Sequence, residues 1–131
     1  MQTYAFDIDP RFRLPLTALG VTAAASSVRL DGGRLIVQFG RWHVETPVTN
    51  IEEVTVTGPY TFWRAIGTRL SLHDRGLTFG TNTRQGVCLS FRHPVPGIDP
   101  AGLIKHPGLT VTVADPDAFA AAVRSAAGIT E

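Results

Sequence analysis

The stretch LTVTVADPDAFAAAVRSAA, residues Leu109 to Ala127, predicts a β-strand that runs directly into an amphipathic α-helix. In its first part a leucine and valines alternate with threonines, the period-two pattern of a half-buried strand. Asp115 then provides a helix N-cap, and Pro116 takes the first helical position, where its missing N–H has no cost. Gly128 is placed to end the helix. One apolar stripe is expected to pack on the inner face of a sheet, and its members are Phe119, Ala122, Val123 and Ala126.

Upstream of this junction, the chain has the pattern of about eight short strands separated by turn residues. The clearest hairpin joins Val28 to Leu30 with Arg34 to Phe39 through the turn Asp31-Gly32-Gly33. A second hairpin is predicted around Leu70 and Phe79, with its turn at His73 to Gly76. Further strands are expected at Thr3 to Ile8, Trp42 to Glu45, Val54 to Val56 and Val87 to Phe91, with a turn of helix near Leu16 to Leu19.

Helices and strands do not alternate along the chain, so the sheet is expected to be mainly antiparallel. The predicted fold class is mainly β (α+β), a bent antiparallel sheet or open barrel that the C-terminal helix closes at one end. The sequence shows no internal repeat and no linker, so residues 1–131 are expected to form a single domain.

Composition excludes several functional classes. A net charge of +1 gives no field that indicates nucleic acid as a partner. No apolar run approaches the ~20 residues needed to span a bilayer, and the N-terminus lacks the pattern of a signal peptide. A cytoplasmic protein is therefore expected. Cys88 is the only cysteine, and the four histidines lack close ligand spacing, so we expect neither a disulfide nor a metal nor a cofactor.

Two segments resemble parts of bacterial pleckstrin-homology-like (PH-like) domains. VETPVTNIEEVTV, residues Val44 to Val56, resembles a strand, a short turn and a second strand of these domains. LTVTVADPDAFAAAV, residues Leu109 to Val123, resembles their end, where the last strand meets an Asp-Pro-acid helix start. The resemblance implies a bent antiparallel barrel capped by the C-terminal helix. Domains of this shape bind phosphoinositides, peptides or partner proteins, and the resemblance does not choose among these activities.

The stretch GPYTFWRAIG, residues Gly58 to Gly67, concentrates aromatic side chains between two turn signals. One interpretation is a loop that covers one end of the barrel with its aromatic rings completing the core. The other is an exposed anchor for a partner or a second copy of the chain, because Trp, Tyr and Arg dominate interface hot spots. The candidate partner-binding residues are Tyr60, Phe62, Trp63 and Arg64.

The stretch His93 to Gly108 predicts a connection longer than most loops in compact domains. The triplets Arg92-His93-Pro94 and Lys105-His106-Pro107 flank it and are expected to meet where the loop leaves and rejoins neighbouring strands. A small cationic rim would then form an anion site from Arg92, His93, Lys105 and His106. Proline stiffening of a long crossing is the simpler explanation of the same residues.

No acid, base and nucleophile can be assembled from the sequence, so no catalytic residue is assigned and an enzyme is not expected. The leading hypothesis is a non-catalytic interaction or scaffold domain that binds a protein partner or forms a homo-oligomer. The alternative is a binder of a small anion or a lipid headgroup. The lipid hypothesis is the weaker of these, because the early hairpin turn is acidic and carries only Arg34 after it.

Overall fold

The computed structural model describes residues 2–60, 66–70, 76–99 and 101–129, and it confirms a mainly β fold with a C-terminal helix. Nine strands form two sheets in these ranges, and the sheets do not close into a barrel. Sheet one has the order β1-β2-β3-β4, and its strands are β1 (Gln2–Tyr4), β2 (Ser26–Asp31), β3 (Arg34–Phe39) and β4 (Trp42–Pro47).

Sheet two has the order β5-β8-β9-β7-β6. Its strands are β5 (Ile51–Thr57), β6 (Gly67–Leu70), β7 (Leu77–Gly80), β8 (Gly86–Pro96) and β9 (Lys105–Val111). The pairing is antiparallel, as predicted, except between β7 and β9, which are parallel. Because β9 inserts between β8 and β7, it pairs with one antiparallel and one parallel neighbour.

The two predicted hairpins are present. Asp31 pairs with Arg34 across the Gly32-Gly33 turn, and both glycines have positive φ, as a two-residue turn of this kind requires. β6 pairs with β7 as expected, and the predicted turn between them lies mostly in residues 71–75, outside the described ranges. The first strand is shorter than predicted. Sheet pairing covers Gln2–Tyr4, and Phe6 then makes a single bridge to Val113.

Helix α1 (Arg13–Ala18) begins earlier than the predicted turn around Leu16. Pro15 is accommodated because it lies in the first turn, where backbone N–H groups have no partner within the helix. Helix α2 (Pro116–Ala127) matches the prediction at both ends: the Asp115 carboxylate accepts from the Ala118 N–H at 3.2 Å, and Gly128 ends the helix with a φ of 75°.

The apolar stripe of α2 needs one correction. Phe119 and Val123 are buried, as predicted, and Ala122 is partly buried, but Ala126 is exposed and Ala120 is buried instead. The helix packs on β5, on β8 and on the 3-10 turn Val48–Asn50, so it lies across an edge of sheet two. Its buried face therefore differs from the predicted stripe.

Aromatic rings join the layers of the core. The Phe39 ring of sheet one stacks on the Phe79 ring of sheet two, with centroids 4.7 Å apart. Phe6 packs on Phe39 at 5.0 Å, and Tyr4 meets Phe119 of α2 edge-to-face, also at 5.0 Å. The N-terminal segment therefore connects sheet one, sheet two and the helix.

The long loop predicted from His93 to Gly108 is wrong in its bounds. β8 continues to Pro96 and β9 begins at Lys105, so the connection covers only residues 97–104. Proline is compatible with these strands because the pairing shifts register between Ser90 and Val95, which leaves Pro94 in an irregular part of the ladder.

Candidate functional site

The predicted aromatic anchor is described only at its first residue. Phe62, Trp63 and Arg64 lie outside the described ranges, so their part in partner binding stays a prediction. Tyr60 is half-buried on sheet two, where its hydroxyl donates to the Thr57 carbonyl at 3.0 Å and also contacts the Thr57 hydroxyl. Burial raises the pKa of Tyr60 above its ordinary value. Its hydroxyl therefore lies on its own sheet, beside Gly86.

The two cationic triplets lie on paired strands, with Val95 opposite His106 and Pro96 opposite Lys105. Not all of their side chains reach the surface. His106 is 1% exposed, and its Nε2 accepts the Ile98 N–H at 3.2 Å, which requires a neutral imidazole. Lys105 is exposed.

The first triplet is held by the 3-10 turn Val48–Asn50. The His93 main chain donates to Asn50 Oδ1 at 2.9 Å and accepts from Asn50 Nδ2 at 3.0 Å. Arg92 Nε donates to the Thr49 carbonyl at 3.2 Å, and its Nη1 lies 3.9 Å from Glu52 Oε2. The arginine is thus engaged by the protein itself. The buried His106 removes one of the four groups from the predicted rim, and an anion site here stays a prediction.

A cleft of about 900 Å³ lies between β4 and the segment that follows β8. One wall comes from the start of β3 and from β4 with its preceding turn, and the other from residues 96–99, 101 and 102. Its size falls within the ~300–1,000 Å³ typical of ligand sites. The lining side chains that carry charge or aromatic surface are Arg34, Arg41, Trp42, His43, Glu45 and Asp99.

The hydrogen-bonding pattern of sheet one determines what β4 presents to this cleft. Phe39 and Trp42 flank the two-residue turn Gly40-Arg41 and form the closing pair of the β3–β4 hairpin. The residues of such a pair exchange both main-chain hydrogen bonds, and the pattern then alternates along the ladder. Trp42, Val44 and Thr46 therefore bond to β3.

The N–H and C=O groups of His43 and Glu45 consequently point away from β3, on the free edge of β4. These groups have no hydrogen-bond partner elsewhere in ranges 2–60, 66–70, 76–99 and 101–129. The side chains of both residues are exposed and line the cleft. An unpaired edge of this kind is a template for another strand.

The other long edge of the molecule is covered. β5 is the terminal strand of sheet two, and α2 packs against it. Arg124 Nη2 donates to the Val54 carbonyl at 2.8 Å, so the helix occupies part of this edge. β1 has only three residues. β4, with six residues, is the longest described edge strand apart from β5, and β8 approaches it without forming a ladder.

A polar network fixes the outward side chains of β4. Arg34 Nε donates to Glu45 Oε2 at 2.7 Å, and His43 Nε2 lies 3.3 Å from Glu45 Oε1. His43 Nδ1 in turn lies 3.1 Å from Gln38 Oε1. The hydrogen bond from Arg34, followed by that from His43, lowers the pKa of Glu45, so this carboxylate is ionised and already occupied.

Chemistry-bearing side chains are sparse elsewhere. Cys88 and Ser90 line a shallow depression of about 330 Å³ on the outer face of sheet two. In the part of the chain that the structure describes, no three His, Cys, Asp or Glu side chains are grouped so that they could hold a metal ion. Within the same residues, no helix has the length and apolar character to cross a membrane.

Comparison of the chain with models of protein families, with curated proteins and with solved structures gives no match. The site is therefore defined by the geometry of the cleft alone.

Reasoning from the sequence did not find this cleft. The sequence predicts a strand at Trp42 to Glu45, which lies within β4, and Gly40-Arg41 breaks the apolar run before it. The turn and the strand together determine which residues of β4 form hydrogen bonds with β3. They do not show that β4 ends a sheet, because strand order depends on contacts between distant parts of the chain.

Proposed function

We propose that this chain is a non-catalytic interaction domain that binds an extended segment of a partner protein along β4. The observation that supports this function is the free edge at His43 and Glu45, which opens on the cleft. A segment that pairs with both residues forms up to four main-chain hydrogen bonds, as in other cases of β-strand addition. Peptide binding is among the activities implied by the resemblance to PH-like domains, and membership of that family is part of the proposal.

The side chains around the edge favour an extended segment over a compact ligand. In a strand, alternate side chains point to opposite faces, so a segment paired with β4 places every second side chain towards the outer face of sheet one. There it meets Arg34, His43 and Glu45, whose positions are fixed by their hydrogen bonds.

The test is selection of peptides from a phage-displayed random library on the immobilised protein, followed by binding of one selected peptide measured by fluorescence anisotropy. Ala101 lines the cleft and is exposed, so Ala101→Trp fills the cleft without disturbing the core. Ala121 is exposed on α2, and Ala121→Trp is the matched control. We expect Ala101→Trp to weaken binding at least about tenfold, which is 1.4 kcal/mol, and Ala121→Trp to bind as the wild type does.

Failure to select any peptide, or equal affinity of the Ala101→Trp variant and the wild type, contradicts the proposal. A second copy of the chain is another occupant that the experiment distinguishes. If β4 pairs with β4 of a second copy, the free protein shows a concentration-dependent mass in sedimentation, and Ala101→Trp abolishes that mass increase. This result would replace peptide binding by self-association as the function of the cleft.

A further inference from the structure

The charged groups of the cleft differ in whether they already have hydrogen-bond or ion-pair partners within the protein. Glu45 is engaged by Arg34 and by His43, as described above, so that the Arg34 guanidinium is committed to a carboxylate of its own sheet. Asp99, on the opposite wall, accepts the Ala101 N–H with Oδ1 at 3.0 Å and the Leu103 N–H with Oδ2 at 2.9 Å. Both acidic groups of the cleft thus have partners.

Arg41 differs from these groups. No carboxylate of the described ranges lies within ion-pairing distance of its guanidinium, although the residue lines the cleft and is exposed. Its Cζ lies 5.0 Å from the centroid of the Trp42 ring. Stacking on an aromatic face restrains the plane of a guanidinium while leaving the N–H donors at its rim free. Among the described residues, Arg41 is therefore an oriented cation that no carboxylate pairs with.

The position of Arg41 relates it to a bound segment. It immediately precedes β4, whose free main-chain groups are those of His43 and Glu45. A segment that pairs with these two residues and continues past His43 reaches Arg41 within about two residues, because each strand residue advances ~3.3 Å. Arg41 is consequently placed to contact a side chain at one end of the paired segment.

We infer that the segment bound along β4 carries an acidic residue at this end, which forms a two-pronged ion pair with the Arg41 guanidinium on the Trp42 ring. The fork of N–H donors matches a carboxylate, and such charge-assisted pairs are among the stronger polar contacts. A basic residue at the same position of the segment is repelled by the Arg41 guanidinium, so such a segment binds more weakly. The inference rests on the proposed function and adds the chemistry of the partner to it.

The test compares the sequences that the same random peptide library yields with the wild type, with Arg41→Glu and with Arg13→Glu. Arg13 is an exposed residue of α1, remote in sequence from the cleft, and its substitution changes the net charge by the same amount. We expect the wild type and the Arg13→Glu variant to enrich Asp or Glu at one end of the shared motif. The Arg41→Glu variant should enrich Lys or Arg there.

A direct measurement uses one peptide selected by the wild type and its Asp→Asn or Glu→Gln counterpart. We expect the amide version to bind the wild type about tenfold more weakly, and the two versions to bind Arg41→Gln within about twofold of each other. Selected peptides without an acidic preference, or an acidic preference that Arg41→Glu retains, would overturn this inference and leave strand addition at β4 intact. If no peptide is selected, the proposed function fails, and this inference fails with it.

Discussion

At Gly97 the segment after β8 packs closely against β4. A β-carbon at this position would lie 2.8 Å from Val44 Cγ2 and 2.8 Å from Leu77 Cδ2, with His106 Cδ2 at 3.3 Å. The absence of a side chain at Gly97 therefore allows the segment to pack against both sheets and to form the far wall of the cleft. The sequence showed only a glycine in a Pro-rich connection, because the close approach depends on residues distant in the chain.

Gly97→Ala is expected to destabilise the protein by about 1–3 kcal/mol, the usual cost of overpacking a filled interior. Urea unfolding of the variant and the wild type measures the difference. Ala101→Val is the control, because its added methyl groups extend from an exposed position in the cleft, and its effect should stay within ~0.5 kcal/mol. An unchanged unfolding midpoint for Gly97→Ala would show that Gly97 does not pack on β4 as described.

The elements of the fold were predicted best where the information is local. Gly32-Gly33 provides the positive φ angles that a two-residue turn requires, and Asp115-Pro116 provides the cap and the first residue of a helix. The β2–β3 hairpin and α2 could therefore be identified from short stretches. The order of the strands could not. β9 pairs with β8, which precedes it, and also with β7, which does not adjoin it in sequence, while β5 pairs with β8 and not with β4. The free edge of β4 follows from this order and was therefore not predictable.

The contact between α2 and the sheets gives a prediction at the element scale. Phe119 is fully buried, and its ring meets Tyr4 at 5.0 Å. Phe119→Ala should lower the free energy of unfolding by about 3–5 kcal/mol, because it removes a large buried ring and leaves a cavity. Leu14→Ala is the matched control, since Leu14 is 84% exposed. A change below about 1 kcal/mol for Phe119→Ala in chemical denaturation would mean that the helix does not contribute its apolar face to the core.

At the scale of the whole molecule, the N-terminal segment joins the two sheets through polar contacts. The Asp7 N–H donates to the Thr112 carbonyl at 3.0 Å, and the Asp9 N–H donates to the Thr81 carbonyl at 2.9 Å. The Asp9 side chain is 5% exposed and accepts from the Arg11 side chain and main chain, with Arg84 Nη1 3.7 Å away. The hydrogen bond from the Arg11 side chain is the main reason that the pKa of Asp9 lies below its ordinary value.

This lowered pKa predicts the direction in which stability depends on pH. A carboxyl group whose pKa is lower in the folded than in the unfolded chain stabilises the fold at pH values above the unfolded pKa, here about 3.8. The stabilisation is lost as the pH falls from there through the lowered value. Urea midpoints measured from pH 6 to pH 2 should therefore decline less steeply for Asp9→Asn than for the wild type. Asp31→Asn, at the exposed end of β2, is the control for removal of a carboxylate, and parallel curves for Asp9→Asn and the wild type would contradict the prediction.

Amide hydrogen exchange measured by NMR reports whether the main-chain groups of His43 and Glu45 form a free edge on β4. Because Val44 and Thr46 donate to β3, their amides should exchange at least about tenfold more slowly than those of His43 and Glu45. A peptide selected from the library should then slow the exchange of His43 and Glu45 and leave Val44 and Thr46 nearly unchanged. Uniform protection along β4 in the free protein would contradict the account, because it would show that the edge is already paired.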